Sequence, residues 1–193
     1  MSNDIASVFA GAFKSPRLRY IACEDTNTSH VDFIYTSLIA DPVIRGLSSR
    51  RMFTATTRAT AQKEVTDAVN SALLGLLIYL DETPVGILFL HKADWRRASI
   101  TIQLADGFQG KGYGSEALRW ALEWGFRWGG LHKVEIAATT VNEGAVRLYE
   151  RLGFKIEGRQ RDVAFFDGRW WDLVMFGMLE GEWEVLRAGK AEA

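Results

Sequence analysis

The stretch QGKGYG, residues 109 to 114, alternates glycine with other residues immediately before an apolar helical pattern. Glycine tolerates positive φ and lets a ligand approach the backbone without a side chain in the way. Consecutive amide hydrogens at a helix start form a site for phosphate oxygens. Gln109, Gly110, Lys111, Gly112, Tyr113 and Gly114 are therefore candidates to hold a phosphorylated ligand, and the bland alternative is a flexible strand-to-helix connector. Two nucleotide loops are excluded. No GxxxxGK followed by Ser or Thr occurs, and Gly110, Gly112 and Gly114 are each two apart, which does not fit GxGxxG.

A second chemistry-bearing stretch is VNEGAVRLYERLGF, residues 141 to 154. Ala145, Leu148, Tyr149 and Leu152 share one helical side, and Gly153 stands where helices end in a left-handed residue. Tyr149 offers a hydroxyl that stays protonated at neutral pH, or simply a ring for the core. Asn142 suits the cap of this helix.

Elements must position these residues. Leu18 to Ala22 reads as a strand, and VDFIYTSLIADP as a helix stopped at Pro42. Residues 43 to 60 read as a loop leading into a helix at AQKEVTDAVN. Strands follow at Leu73 to Leu80, Val85 to Leu90 and Ala98 to Leu104, the first two joined by a DETP hairpin. After the glycine stretch and a long helix come a strand at Lys133 to Thr139, the Tyr149 helix, and a hairpin turning at Asp167-Gly168. The tail from Glu184 reads as frayed and solvent-facing. This order implies α/β (α+β) architecture, a mixed sheet with helices on its faces.

Taken together, Gln109, Gly112 and Gly114 between a strand and a helix, and Asn142 followed by LYE-x-LGF, resemble the GNAT superfamily of acyl-CoA N-acyltransferases. The resemblance covers roughly residues 16 to 180. The ending FFDGRWWDLVMFGML resembles the branch of ribosomal-protein N-terminal and spermidine acetyltransferases. It implies the acyl-CoA N-acyltransferase fold, with a mostly antiparallel sheet, helices on both faces, and a splayed strand pair formed by 98 to 104 and 133 to 139. One domain would span 16–183, with terminal extensions at 1–15 and 184–193. The cosubstrate implied is acetyl-CoA. Its pyrophosphate would sit on the amides of residues 109 to 114, and Asn142 would fix the pantetheine or the start of its own helix. The Leu104 amide would face the thioester oxygen, and Tyr149 would protonate or stabilise the leaving thiolate. The reaction is direct attack by a primary amine of a small molecule or peptide in a ternary complex. The alternative is a non-catalytic acyl-CoA-binding regulatory or structural protein.

The base stays open. Many relatives carry a glutamate where this chain has Ser99, leaving a water relay, Asp172 in the expected acceptor region, or Glu135. His30, His91 and His132 are too scattered for a metal motif, so no metal is expected. Arg45, Arg50, Arg51 and Arg58 form either a solvated loop face or a surface for acidic groups. Lys111 is a candidate for favourable charge at a phosphate, or points to solvent. Trp120, Trp124 and Trp128 form a stripe that packs on the sheet and leaves a homodimer surface open.

With 193 residues, 48% apolar content and three prolines, the chain fits one folded domain. Twenty-three basic and 24 acidic residues give a net charge of -1, which opposes a nucleic-acid or anionic-membrane partner. The single cysteine, Cys23, excludes an internal disulfide and fits a reducing cytoplasm. No apolar run is long enough to span a bilayer, and the amino terminus is a poor signal peptide.

Overall fold

The computed structural model describes residue 9, residues 11–49 and residues 54–191. Seven strands form one sheet: β1 (Leu18–Ala22), β2 (Ala72–Leu80), β3 (Thr83–Lys92), β4 (Arg97–Leu104), β5 (Lys133–Thr139), β6 (Lys155–Phe166) and β7 (Arg169–Leu179). Their order is β1-β2-β3-β4-β5-β7-β6. All neighbours are antiparallel except β4 and β5. The helices are α1 (Thr28–Ile34), α2 (Pro42–Ser48), α3 (Arg58–Ser71), α4 (Tyr113–Glu123), α5 (Glu143–Leu152) and α6 (Glu180–Ala191). Helices α1 and α4 continue through wider π turns, Tyr35–Ile39 and Trp124–Trp128.

Alternation in the strands sends side chains to two cores. On one face Leu76, Ile78, Leu88, Leu90, Val134 and Ile136 pack with Leu118 and Ala121 of α4 and Tyr149 and Leu152 of α5. On the other, Leu77, Ile87 and Phe89 pack with Val31 and Ile34 of α1 and Ala61 and Val65 of α3. The expected mixed sheet with helices on both faces is the fold observed. The Asp167-Gly168 turn is also present, both residues at positive φ (49° and 70°), as a two-residue hairpin of this hand requires.

Two sequence readings are corrected. Residues 43–48 are not loop but helix α2, which Pro42 begins, while the preceding helical stretch stops short of it at Ile39. Asp41 Oδ1 accepts the Val43 and Ile44 amides at 2.9 and 2.8 Å, and proline at the first helical position has no hydrogen to leave unpaired. The tail is not frayed from Glu184, because α6 runs on to Ala191. It docks through Trp183 against Phe126 (5.4 Å between ring centroids), and Arg187 reaches Glu123 at 3.6 Å.

Candidate active site

Strands β4 and β5 pair only at Arg97↔Lys133, Ala98↔Val134 and Ser99↔Glu135. Beyond that they part, because β4 stays zipped to β3 as far as Leu104 while β5 follows β7 as far as Thr139. The gap is a cleft of about 600 Å³. Residues 99–103 and 135–139 form its two sides, α5 contributes Tyr149, its cap contributes Asn142, and α2 contributes Leu47 and Ser48. At the end of β4 the Ala105 amide donates to Val85 O at 2.9 Å. Hydrogen bonding alternates along an antiparallel ladder, so the Leu104 amide faces the opposite edge, toward the gap.

The glycine loop lies just beyond Leu104. Gly110 (φ 71°) and Gly112 (φ 84°) are both left-handed, a conformation that costs a residue bearing Cβ about 1–2 kcal/mol. Gly112 is the cap of α4, and the following amides are those that a helix start leaves without intrahelical partners. Gly114 has ordinary φ. A Cβ there would lie 3.6 Å from Leu148 and 3.7 Å from Leu104, so alanine would fit. Gln109 closes the loop onto the strand, its Nε2 donating to Leu104 O at 3.1 Å. The Lys111 ammonium stands 5.8 Å from the Phe108 ring.

Arg17 is a neighbour that sequence reasoning missed. Its guanidinium lies 4.5 Å over the Tyr113 ring and donates to Lys111 O at 3.2 Å. Glu116 in the first turn of α4 holds it in place, accepting from Arg17 N, Arg17 Nε and Ser15 Oγ, each at 2.7 Å. Burial raises the Glu116 carboxyl, but these donors outweigh it and hold the group below the usual carboxylate range. Residues 17 and 111 are 94 apart in the chain, so no local pattern announces the contact.

Tyr149 is buried and lines the cleft, its ring edge-on to Phe176 at 5.6 Å and tilted against Phe154 at 6.1 Å. Burial pushes its hydroxyl up to about 12, so it is a proton donor at neutral pH. Asn142 makes two bonds. Its Oδ1 caps α5 at the Ala145 amide (3.0 Å), and its Nδ2 donates to Leu47 O in α2 (3.2 Å), tying together helices on either side of the cleft.

The candidate bases separate. Ser99 and Glu135 both line the narrow end of the cleft. Glu135 accepts from Arg97 at 2.7 Å and lies 3.1 Å from Lys133 Nζ, which also meets Glu157 at 2.6 Å. Burial raises the Glu135 carboxyl, yet Arg97 and Lys133 bring it below its ordinary value. Asp172 is not among the residues lining the cleft. It accepts from the Asp162 amide at 3.0 Å and from Arg159 Nε at 2.5 Å, and these two donors, in that order, lower its pKa. It thereby pins the irregular stretch of β6 between Gln160 and Ala164.

The remaining candidates are engaged elsewhere. Arg45 makes a two-pronged pair with Glu64 (3.0 Å each), and Arg58 pairs with Asp32 at 2.5 Å. Arg50 and Arg51 lie outside the described residues. Trp120 stacks on Tyr20 at 3.8 Å and donates to Ala12 O, and Phe9 lies 5.8 Å from Trp128, so part of the aromatic stripe is covered by the chain itself. Among the described residues no group of three or more His, Cys, Asp or Glu side chains could hold a metal, and no helix is long and apolar enough to cross a membrane.

Comparison with known proteins places this geometry. The putative ribosomal N-acetyltransferase YdaF of Bacillus subtilis is 36% identical over 118 residues, 60% of this chain and 63% of that protein. Spermidine N(1)-acetyltransferase of Escherichia coli is 33% identical over 75 residues, 39% of this chain and 40% of that protein. The chain thus spans less than two thirds of the length of these curated relatives. Among solved structures, spermidine N-acetyltransferase from Vibrio cholerae in complex with CoA and spermine superposes with a TM-score of 0.76 at 23% identity, covering 87% of this chain and 98% of that one. RimL, a ribosomal L7/L12 α-N-protein acetyltransferase in complex with CoA, gives 0.73 at 20% identity, covering 86% and 95%. The family described as "Acetyltransferase (GNAT) family" matches residues 45–154, from α2 through the glycine loop to the end of the Tyr149 helix, and the chain belongs to that family.

Proposed function

We propose that the protein is an acetyl-CoA-dependent N-acetyltransferase, with residues 16–183 as its catalytic domain, acting in the cytoplasm on a primary amine of a small molecule or peptide. The observation that carries this reading is the parted β4–β5 pair, with Tyr149 lining the gap, the Leu104 amide turned toward it from the end of β4, and the loop 109–114 just beyond. The loop amides, with Arg17 and Lys111 nearby, suit the pyrophosphate of acetyl-CoA, and the unpaired strand edges suit the amide-bearing pantetheine arm. The Leu104 N–H is the donor for the thioester oxygen, whose negative charge grows as the amine attacks the carbonyl carbon. As the carbon–sulfur bond breaks, the Tyr149 hydroxyl gives its proton to the sulfur and regains one from solvent. The amine loses its own proton to water in the cleft. Glu135, bound by two cations, is a weak base, and Asp172 serves the β6–β7 hairpin in preference to the reaction.

Titration calorimetry with acetyl-CoA, free CoA and NAD tests the premise, followed by release of free thiol on adding an amine panel. Binding of the first two ligands but not NAD, with amine-dependent thiol release, supports the reading. Binding without thiol release for any amine supports the non-catalytic alternative, and absence of CoA binding removes both.

A further inference from the structure

Thr139 closes β5 with only 4% of its surface exposed, and it lines the cleft. Its Oγ1 is buried and has no hydrogen-bond partner among the described residues. Buried hydroxyls are nearly always paired, since leaving one unsatisfied is costly. The next hydroxyl along, Thr140 Oγ1, receives the Asp172 amide at 3.2 Å, so the chain satisfies the neighbour and leaves Thr139 to a ligand.

The sheet's alternation decides which ligand. Val134, Ile136 and Ala138 point into the core beneath α4 and α5, the side of the glycine loop. Thr139, with Glu135 and Ala137, points to the opposite face, where α2 forms the wall through Leu47 and Ser48. With the glycine loop on the other face, this is the side left for an acceptor.

Leu47 also lines a second cavity of about 660 Å³, between α2 and the tip of the β6–β7 hairpin. Pro42, Val43, Leu47, Val141, Phe165 and Phe166 line it, with Asp167 as its one charged group among the described residues. Leu47 is common to the two and Val141 stands two residues after Thr139, so the polar end and the apolar walls are neighbours. Charge argues against a polycation. The cleft carboxylates Glu135 and Glu157 are matched by Arg97 and Lys133. The other groove leaving the cleft, along α3, carries among the described residues Arg45 and Lys63 against Glu64 and Asp67, two of each sign.

We propose that the Thr139 hydroxyl receives the acceptor amine and that the apolar groove between α2 and the β6–β7 hairpin receives its carbon body. The acceptor class is then a singly charged amine bearing an apolar substituent, not a polyamine. This rests on the proposed activity for its chemistry but on binding for its test. With the CoA-loaded full chain, calorimetry would compare phenethylamine and a tetrapeptide with phenylalanine at its second position against spermidine and a tetrapeptide with aspartate there. The first pair should bind at least about tenfold tighter, and which of the two binds better separates a small-amine from a peptide source. Thr139→Val should weaken acceptor binding, and raise KM if turnover occurs, by about tenfold, the worth of one hydrogen bond. Acetyl-CoA affinity should not change, and Thr139→Ser should recover most of the loss. Val43→Asp, at an exposed position, should weaken only the apolar acceptors. Spermidine binding as well as the apolar amines, or Thr139→Val matching the parent, overturns the proposal. Binding of apolar amines without acetyl transfer would refute the activity and leave this site standing. Acetylation of spermidine without affinity for apolar amines would do the reverse.

Discussion

Gly86→Ala tests whether the position of Leu104 governs the site. Gly86 lies in β3 directly opposite Leu104. An added Cβ would overlap the Gln103 carbonyl oxygen and come within 2.8 Å of Leu104 Cδ2 and 3.2 Å of Leu104 Cα. The first and last of these are backbone, so no rotamer change relieves them. Ordinary contact begins near 3.4 Å, so β4 must retreat by roughly 1 Å. Overpacking of this kind costs about 1–3 kcal/mol, or roughly 2–12 °C in Tm for a chain of this size. A displacement of ~1 Å at reacting groups costs about 10²-fold in rate. Gly75→Ala is the control. Its Cβ would meet the Phe89 ring at 2.7 Å, one strand further from the cleft, and a side chain can shift. Thermal melts and thiol-release kinetics on both variants should show two destabilised proteins, of which only Gly86→Ala loses kcat by about 100-fold. Equal kcat in the two variants at a temperature where both are folded would refute the claim that Leu104 placement controls catalysis.

Tyr149→Phe should keep the ring packing on Phe154 and Phe176, and hence acetyl-CoA affinity, while kcat falls about 10²-fold or more; a change under twofold removes the hydroxyl from the mechanism. Because burial raises Tyr149 from 10.0 to about 12, and Tyr20 in the same direction, folding favours the neutral phenols. Their contribution is complete below pH 10 and is lost as pH climbs toward 12, by roughly 3 kcal/mol for Tyr149, so denaturant midpoints measured at pH 9 and 11 should fall in the parent and fall less in Tyr149→Phe. Glu116, with its carboxyl lowered, contributes in the other direction, its stabilisation being present above the usual carboxylate range and lost on acidification. Melting curves between pH 6 and 3 should therefore be flatter for Glu116→Gln, which should also weaken acetyl-CoA by freeing Arg17.

Much of this was legible because it is local. Periodicity gives Leu18–Ala22 and Lys133–Thr139 with their observed bounds, and the strand-to-helix setting of QGKGYG follows from the pattern on either side. Helix α2 was missed although its signal was present. Asp41-Pro42 is a cap followed by proline at the first helical position, but a proline after a helical pattern also reads as its end. Helix α6 depends on Trp183 finding Phe126 far back in the chain, which no window spans. Asp172 carries the residue type of a base, and only the fold reveals that Arg159 and the Asp162 amide already occupy it. Thr139 is the converse case, an unremarkable strand residue until the partner its hydroxyl lacks becomes visible.

The three-residue contact between β4 and β5 makes the sheet two half-sheets hinged at one end. Its middle therefore holds two free strand edges, a feature proteins normally confine to the periphery and guard against stray β-pairing. Here depth supplies the guard, since α2 and α5 flank the gap and Asn142 bridges them. Whatever carries amides of the right spacing into that gap completes the sheet as an eighth strand would. Slowed hydrogen exchange at Ile102 and Leu104 is the signature such a ligand would leave.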